Sequence, residues 1–257
     1  MSRIYKALAA VTLAAAITAC GGTDTSKSAQ PASPKAAPDA QKVDAATAGT
    51  IKGKVLLEGA APEMPVIKMS SDPACASGGE VRAESYVVDA GGLKNVFVYI
   101  KDGLGNKYIF DVPTTPVTID QKGCHYVPHV VGVRTTQPLE IVNSDGTLHN
   151  VHGMPQTNKE FNQGQPVQGM KNSFTFTSLE VLIPLKCDVH SWMNAYVGVV
   201  DHPFFAVTGN GGTFELRGVP PGSYSIEAVH EKLGRQSQPV TLGAKDSKEL
   251  TFTFKVQ

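Results

Sequence analysis

Apolar residues recur along this chain in short runs with a period of two. No stretch sustains the 3.6-residue period of an amphipathic helix. Residues 51–57 (Ile-Lys-Gly-Lys-Val-Leu-Leu) read as a first strand, stopped by Glu58-Gly59. Further strand signals fall at 85–89, at 93–101 between Gly91-Gly92 and Asp102-Gly103, and at 116–120, 130–133 and 139–143. They continue at 173–177, which alternates strictly, then at 181–186, 195–201, 212–216, 223–229 and 250–256. Short strands at this spacing, separated by turn residues, predict an all-β molecule of sandwiches or barrels.

Composition agrees with the pattern. The 257 residues include 25 Gly and 17 Pro, as turn-rich β chains do. The 23 basic and 23 acidic side chains balance, so nothing points to nucleic acid or a strongly charged substrate. The N-terminus departs from the rest. Arg3 and Lys6 precede an apolar run at 7–19 that is too short to cross a bilayer and reads as a targeting segment. Residues 21–49 offer almost nothing to bury and predict a disordered tether, spanning roughly 30 Å as a flexible coil.

The candidate chemistry is concentrated in Cys187-Asp188-Val189-His190-Ser191-Trp192-Met193. A thiolate, an imidazole and a thioether spaced C-x-x-H-x-x-M form a soft donor set that suits copper. A His₂Cys site with a weak axial Met is the arrangement of blue-copper electron-transfer centres. The second His must come from elsewhere, and His149 and His152 in His149-Asn150-Val151-His152 compete for that place. Blander roles stand beside each of these. Cys187 fits a buried free thiol, Met193 core packing beneath the site, and Trp192 a structural ring. Cys124, His125 and His129 imitate a second metal site but read better as a half-cystine and two loop or surface histidines. His202 and His230 read as surface or turn residues. No nucleophile elbow, phosphate loop or dinucleotide fingerprint is present.

Three resemblances add to this reading. Ile17-Thr18-Ala19-Cys20-Gly21 resembles the lipobox of bacterial lipoproteins. It implies cleavage after residue 19 and acylation of Cys20, enough for a stable anchor. Cleavage removes two of the 23 basic residues, leaving 21 against 23 acidic ones. With Gly at 21 and 22, the outer membrane is favoured over the inner, with the domain facing the periplasm or the cell surface. In that oxidising compartment the leftover Cys75 and Cys124 are expected to pair. Residues 116–203 resemble a cupredoxin of the amicyanin type. The resemblance rests on Tyr126-Val127-Pro128, Ile141-Val142-Asn143, His149-Asn150-Val151-His152 and the short ligand loop. Gly53-Lys54-Val55 and the run from Gly212 to Tyr224, which carries F-x-L-x-G-x-P-P-G-x-Y from Phe214 onward, resemble the carboxypeptidase regulatory-like, or transthyretin-like, module. The expected fold is therefore a cupredoxin Greek-key β-sandwich at 116–203 inserted in, or adjacent to, a transthyretin-like sandwich built from 50–115 and 204–257. The bridge between Cys75 and Cys124 would cross-link the two.

The cupredoxin resemblance implies one mononuclear copper held by His149, Cys187, His190 and Met193. It places Asn143, Asn150 and His152 around the ligands, with Asn150 tying the two ligand loops. The amicyanin loop carries Pro at the positions of Val189 and Ser191, so here the Val189 N–H is expected to bond the thiolate and raise the potential. Asp188 beside the thiolate would oppose that effect unless it points to solvent. Trp192, Met154 and Pro155 are expected to form an apolar docking patch around an exposed edge of His190. The function implied is one-electron transport between transient redox protein partners in the bacterial envelope, with no enzymatic substrate. Two other classes remain, a copper-delivery lipoprotein and a structural surface lipoprotein that uses its sandwich for interaction.

Overall fold

A computed structural model describes residues 37–256, which are all-β with one short helix and a single 3-10 turn among the described residues. The targeting segment and Cys20 lie outside the described residues. Strands β1 (Gly49–Glu58), β2 (Val88–Asp89), β3 (Gly92–Leu93) and β4 (Phe97–Asp102) come first. The middle run is β5 (Val117–Gln121), β6 (Tyr126–Val127), β7 (Val130–Arg134), β8 (Leu139–Asn143), β9 (His149–Gly153), β10 (Phe161–Gln165), β11 (Lys171–Phe174), β12 (Glu180–Lys186) and β13 (Asn194–Val200). The last run is β14 (Phe205–Val207), β15 (Thr213–Val219), β16 (Gly222–His230), β17 (Gly234–Leu242) and β18 (Ser247–Lys255).

The period-two pattern decides which face each strand buries. In β1, Ile51, Gly53, Val55 and Leu57 point inward while Lys52 and Lys54 face water. β1 pairs antiparallel with β15 over 49–54 and parallel with β18 over 50–58. This sheet, with β2 and β3, faces a second sheet ordered β14-β4-β16-β17. Ile51, Val55, Leu93, Phe214, Ile226 and Phe252 fill the space between them. The middle run makes two other sheets, β10-β9-β12-β13-β7 and β11-β8-β5-β6, around Ile119, Tyr126, Ile141, Val151, Phe176 and Val197. Where the two pairs of sheets meet, Gly198 and Gly132 lie side by side on β13 and β7. A Cβ on Gly198 would sit 2.5 Å from the Phe97 ring, and one on Gly132 would sit 2.3 Å from Phe205, so only glycine admits these aromatic rings.

Several elements differ from the sequence pattern. The His-rich stretch is a strand, β9, rather than a loop, because β10 and β12 pair on either side of it. β17 is a nine-residue strand whose outward positions are polar, so no apolar run marks it. Residues 37–48, expected in the tether, are docked. Gln41 bridges Tyr108, Lys42 pairs with Asp111 at 2.6 Å, and Val43 packs on the first core. The connection 59–87, expected to belong with the first sandwich, instead inserts Ile67, Met69, Cys75 and Val81 into the core of the middle run. It carries the helix α1 (Pro73–Ala76), capped by the Asp72 carboxylate on the Ala74 N–H. Cys75 and Cys124 are disulfide-bonded with Cα atoms 5.5 Å apart.

Candidate metal centre

β12 delivers Cys187 at its end, and β13 begins at Asn194, so the ligand heptapeptide is the turn between two paired strands. It closes on itself through Cys187 N–H to Met193 O and Met193 N–H to His190 O. β9 opens with His149, so this histidine faces the turn from the neighbouring strand. Cys187, His149 and His190 converge in the interior, with one donor atom from each within 4.8 Å of the others. His149 Nδ1 lies 2.9 Å from His190 Nδ1, and Cys187 Sγ lies 3.9 Å from His190 Nδ1. All three are buried, as is Met193 in the same core.

Behind each imidazole stands a carboxylate. His149 Nε2 is 2.9 Å from Asp145 Oδ2, and His190 Nε2 is 3.0 Å from Asp72 Oδ2. An ionised carboxylate only accepts, so each Nε2 carries the proton and donates it. Each Nδ1 then presents a lone pair to the other across 2.9 Å. Two imidazole nitrogens and a thiol facing one another in a buried pocket can hold a cation between them, and N, N and S donors select a soft one. The residues fit copper on this ground.

Ionised Asp145 is supported by its surroundings. Burial pushes its carboxyl up, but the N–H groups of Cys124 and Gly123 and the His149 ring more than offset this and hold it below the ordinary carboxylate range. The Thr147 hydroxyl, the Ala74 N–H and His190 hold Asp72 low in the same way, against the effect of burial. Burial lowers the pKa of His149, in part against Asp145. Neither aspartate carries a local motif, and the sequence reading missed both.

Asn150 ties the ligand loops. Its Oδ1 accepts from the Asp188 N–H at 2.6 Å, the Val189 N–H at 3.4 Å and the Cys187 thiol at 3.3 Å. The sulfur accepts from the His190 N–H at 3.4 Å. The expected Val189-to-thiolate bond is therefore replaced. Asn150 captures the Val189 N–H, and the next residue along reaches the sulfur. Asn143 folds the 143–149 loop, with its Nδ2 donating to Thr147 O and Gln165 O and its Oδ1 accepting from the Asp145 N–H. His152 stands apart from the cluster with both nitrogens engaged, at 3.0 Å from Asp188 and 2.8 Å from Glu160. Asp188 turns outward to Lys186, Asn162 and His152, which hold its carboxyl well below the usual range.

The edge of His190 is covered. The residue is 3% exposed, with Asp72 on its Nε2 and the Cys75 sulfur 3.8 Å away. This overturns the expectation of an open edge, because the 59–87 connection packs where solvent was assumed. Trp192 is half-buried, its ring 5.0 Å from that of His190 and its Nε1–H bonded to Cys124 O at 3.1 Å. Met154 and Pro155 follow the end of β9, where the Met154 N–H bonds Pro184 O.

No family model and no curated protein matches the chain. Among solved structures it is similar, over part of its length, to cupredoxins. A copper-containing nitrite reductase from Thermus scotoductus is 22% identical over 37% of this chain, with TM-score 0.31. This chain spans only 24% of that enzyme's length. A purple cupredoxin from Nitrosopumilus maritimus is 19% identical over 32% of this chain and 97% of its own, with TM-score 0.28. A copper(I) form of an amicyanin variant is 17% identical over 40% of this chain and 97% of its own, with TM-score 0.30.

Proposed function

We propose that the chain binds one copper ion that His149, Cys187 and His190 would hold, with Met193 as a further soft donor, and passes single electrons between envelope redox proteins. The observation that carries this reading is the pair of inward Nδ1 atoms 2.9 Å apart beside a buried thiol, each ring held from behind by a carboxylate. Copper would supply a one-electron couple there. The chain's own part is to fix the donors. Asn150 locks the turn against β9, the His190 N–H withdraws charge from the sulfur, and β12 and β13 hold Cys187 and Met193 in register. Four protein donors in a buried pocket leave no position for a substrate, which favours a carrier over an enzyme.

In this proposal the middle run is a copper unit inserted into the chain of the first sandwich, and Cys20 tethers the whole to a bacterial membrane. The partners would be transient redox proteins. Adding Cu(II) to protein lacking residues 1–20 tests the reading. An intense visible band from a copper–thiolate bond is expected, along with its loss in Cys187→Ser. A colourless protein whose thermal stability copper leaves unchanged would overturn it, since a tight ligand of the native state must stabilise that state.

A further inference from the structure

We infer that Asp72 is a positioning residue for His190, which it holds from outside the copper unit, biasing the centre toward Cu(II) and sealing its outer edge. The inference rests on the copper reading. Asp72 lies 118 residues from His190 in sequence, on a connection between strands of the first sandwich. Its Oδ2 accepts both from His190 Nε2, at 3.0 Å, and from the Thr147 hydroxyl, at 2.8 Å. Thr147 belongs to the loop that ends at His149. One carboxylate thus joins the two loops that carry the imidazoles.

The disulfide fixes this arrangement. Asp72 stands three residues before Cys75, and the Cys124 N–H bonds Asp145, the carboxylate behind His149. The bridge therefore pins both carboxylates to one covalent point, and Trp192 packs on it through Cys124 O. Asp72 Oδ1 is engaged separately at the Ala74 N–H, so the side chain cannot rotate away without uncapping α1. A carboxylate on the remote nitrogen fixes the ring's tautomer and strengthens its inward lone pair. Its negative charge also favours the more highly charged ion. Both effects favour Cu(II) over Cu(I). With His190 covered, the ion has no open path to solvent along that ring.

The test compares the copper-loaded protein with its Asp72→Asn variant. Asn ranks with Asp as a helix cap, so the helix is kept while the charge and the acceptor facing His190 Nε2 are both lost. We expect Cu(II) to bind about tenfold more weakly with Cu(I) affinity unchanged, so that the midpoint potential rises by about 59 mV, the one-electron equivalent of tenfold. A chelator should also strip Cu(II) faster. An unchanged potential in a folded variant, or equal loss of affinity for both ions, overturns the inference and leaves the copper reading standing. Absence of copper binding by the unmutated protein overturns both. A measurement that needs no variant is ¹⁵N NMR of the metal-free protein. A proton on His190 Nε2, bonded to Asp72, is expected, and a bare Nε2 overturns the inference.

Discussion

The seven histidines differ in what faces their two ring nitrogens. His149 and His190 have a carboxylate behind and an open lone pair in front. His152 has a carboxylate on each side and so no free donor for an ion. His129, expected at the surface, is buried against Glu231 at 2.7 Å. His125 Nε2 is buried without a hydrogen-bond partner among the described residues, beside a cavity of about 20 Å³ that has room for one water. His202 and His230 are also buried, against the surface roles expected of them. His202 bonds Ile100 O, and His230 Nδ1 accepts the Lys232 and Leu233 N–H groups at 3.2 and 3.3 Å. Burial brings the pKa of His230 down from 6.5 to about 4. The unfolded chain therefore binds a proton between those values that the folded chain refuses. Stability is complete above pH 6.5 and is lost as pH falls toward 4, by on the order of 3 kcal/mol for this residue. Urea unfolding across that range should show this slope, reduced in His230→Gln; equal slopes would show that His230 does not titrate there. The contrast explains what could be read in advance. Cys187, His190 and Met193 sit on one turn, so their spacing displays the site. Asp72 and Asp145 act across folded distance, and an aspartate beside a helix cap or in a loop looks like any other.

At the scale of elements, β1 is the seam of the first sandwich, gripped by β15 on one side and β18 on the other. The parallel partner comes so close that a Cβ on Gly53 would lie 1.9 Å from Leu250 O. The Gly in Gly53-Lys54-Val55 is thus required by a backbone approach and not by a turn. Gly53→Ala must push β18 away. It is expected to lower unfolding stability by about 1–3 kcal/mol, read from the urea midpoint, while the copper–thiolate band of the folded protein keeps its position. A neutral effect would mean the strands separate without cost. Strands with one apolar face, such as β1 and β8, were legible from alternation. β10 and β17 were not, because they lie at sheet edges and bury too little for an apolar period to be needed.

At the scale of the whole molecule, three kinds of linkage join the two sheets of the middle run to the rest. Phe97 and Phe205 seat on Gly198 and Gly132, a dry aromatic contact. Glu231, at the end of β16, meets His129. Burial raises its carboxyl, but His129 and Tyr196 outweigh that and keep it low. The third linkage is covalent. Cys75 and Cys124 close a loop with a sequence separation of 49, for which chain entropy gives about 4 kcal/mol of stabilisation. The bridge is also what keeps the 59–87 connection over His190, since only Ile67, Met69 and Val81 otherwise anchor that segment in the core. Replacing both cysteines, Cys75→Ala with Cys124→Ala, should therefore have two separable effects. Denaturant unfolding of the metal-free protein should show a loss of about 4 kcal/mol. In native buffer, the copper-loaded variant should give up its ion to a chelator faster than the unmutated protein, because the cover opens locally at less cost than global unfolding. If stability falls and the release rate does not change, apolar packing and Asp72 alone hold the cover, and the bridge serves the fold without serving the site.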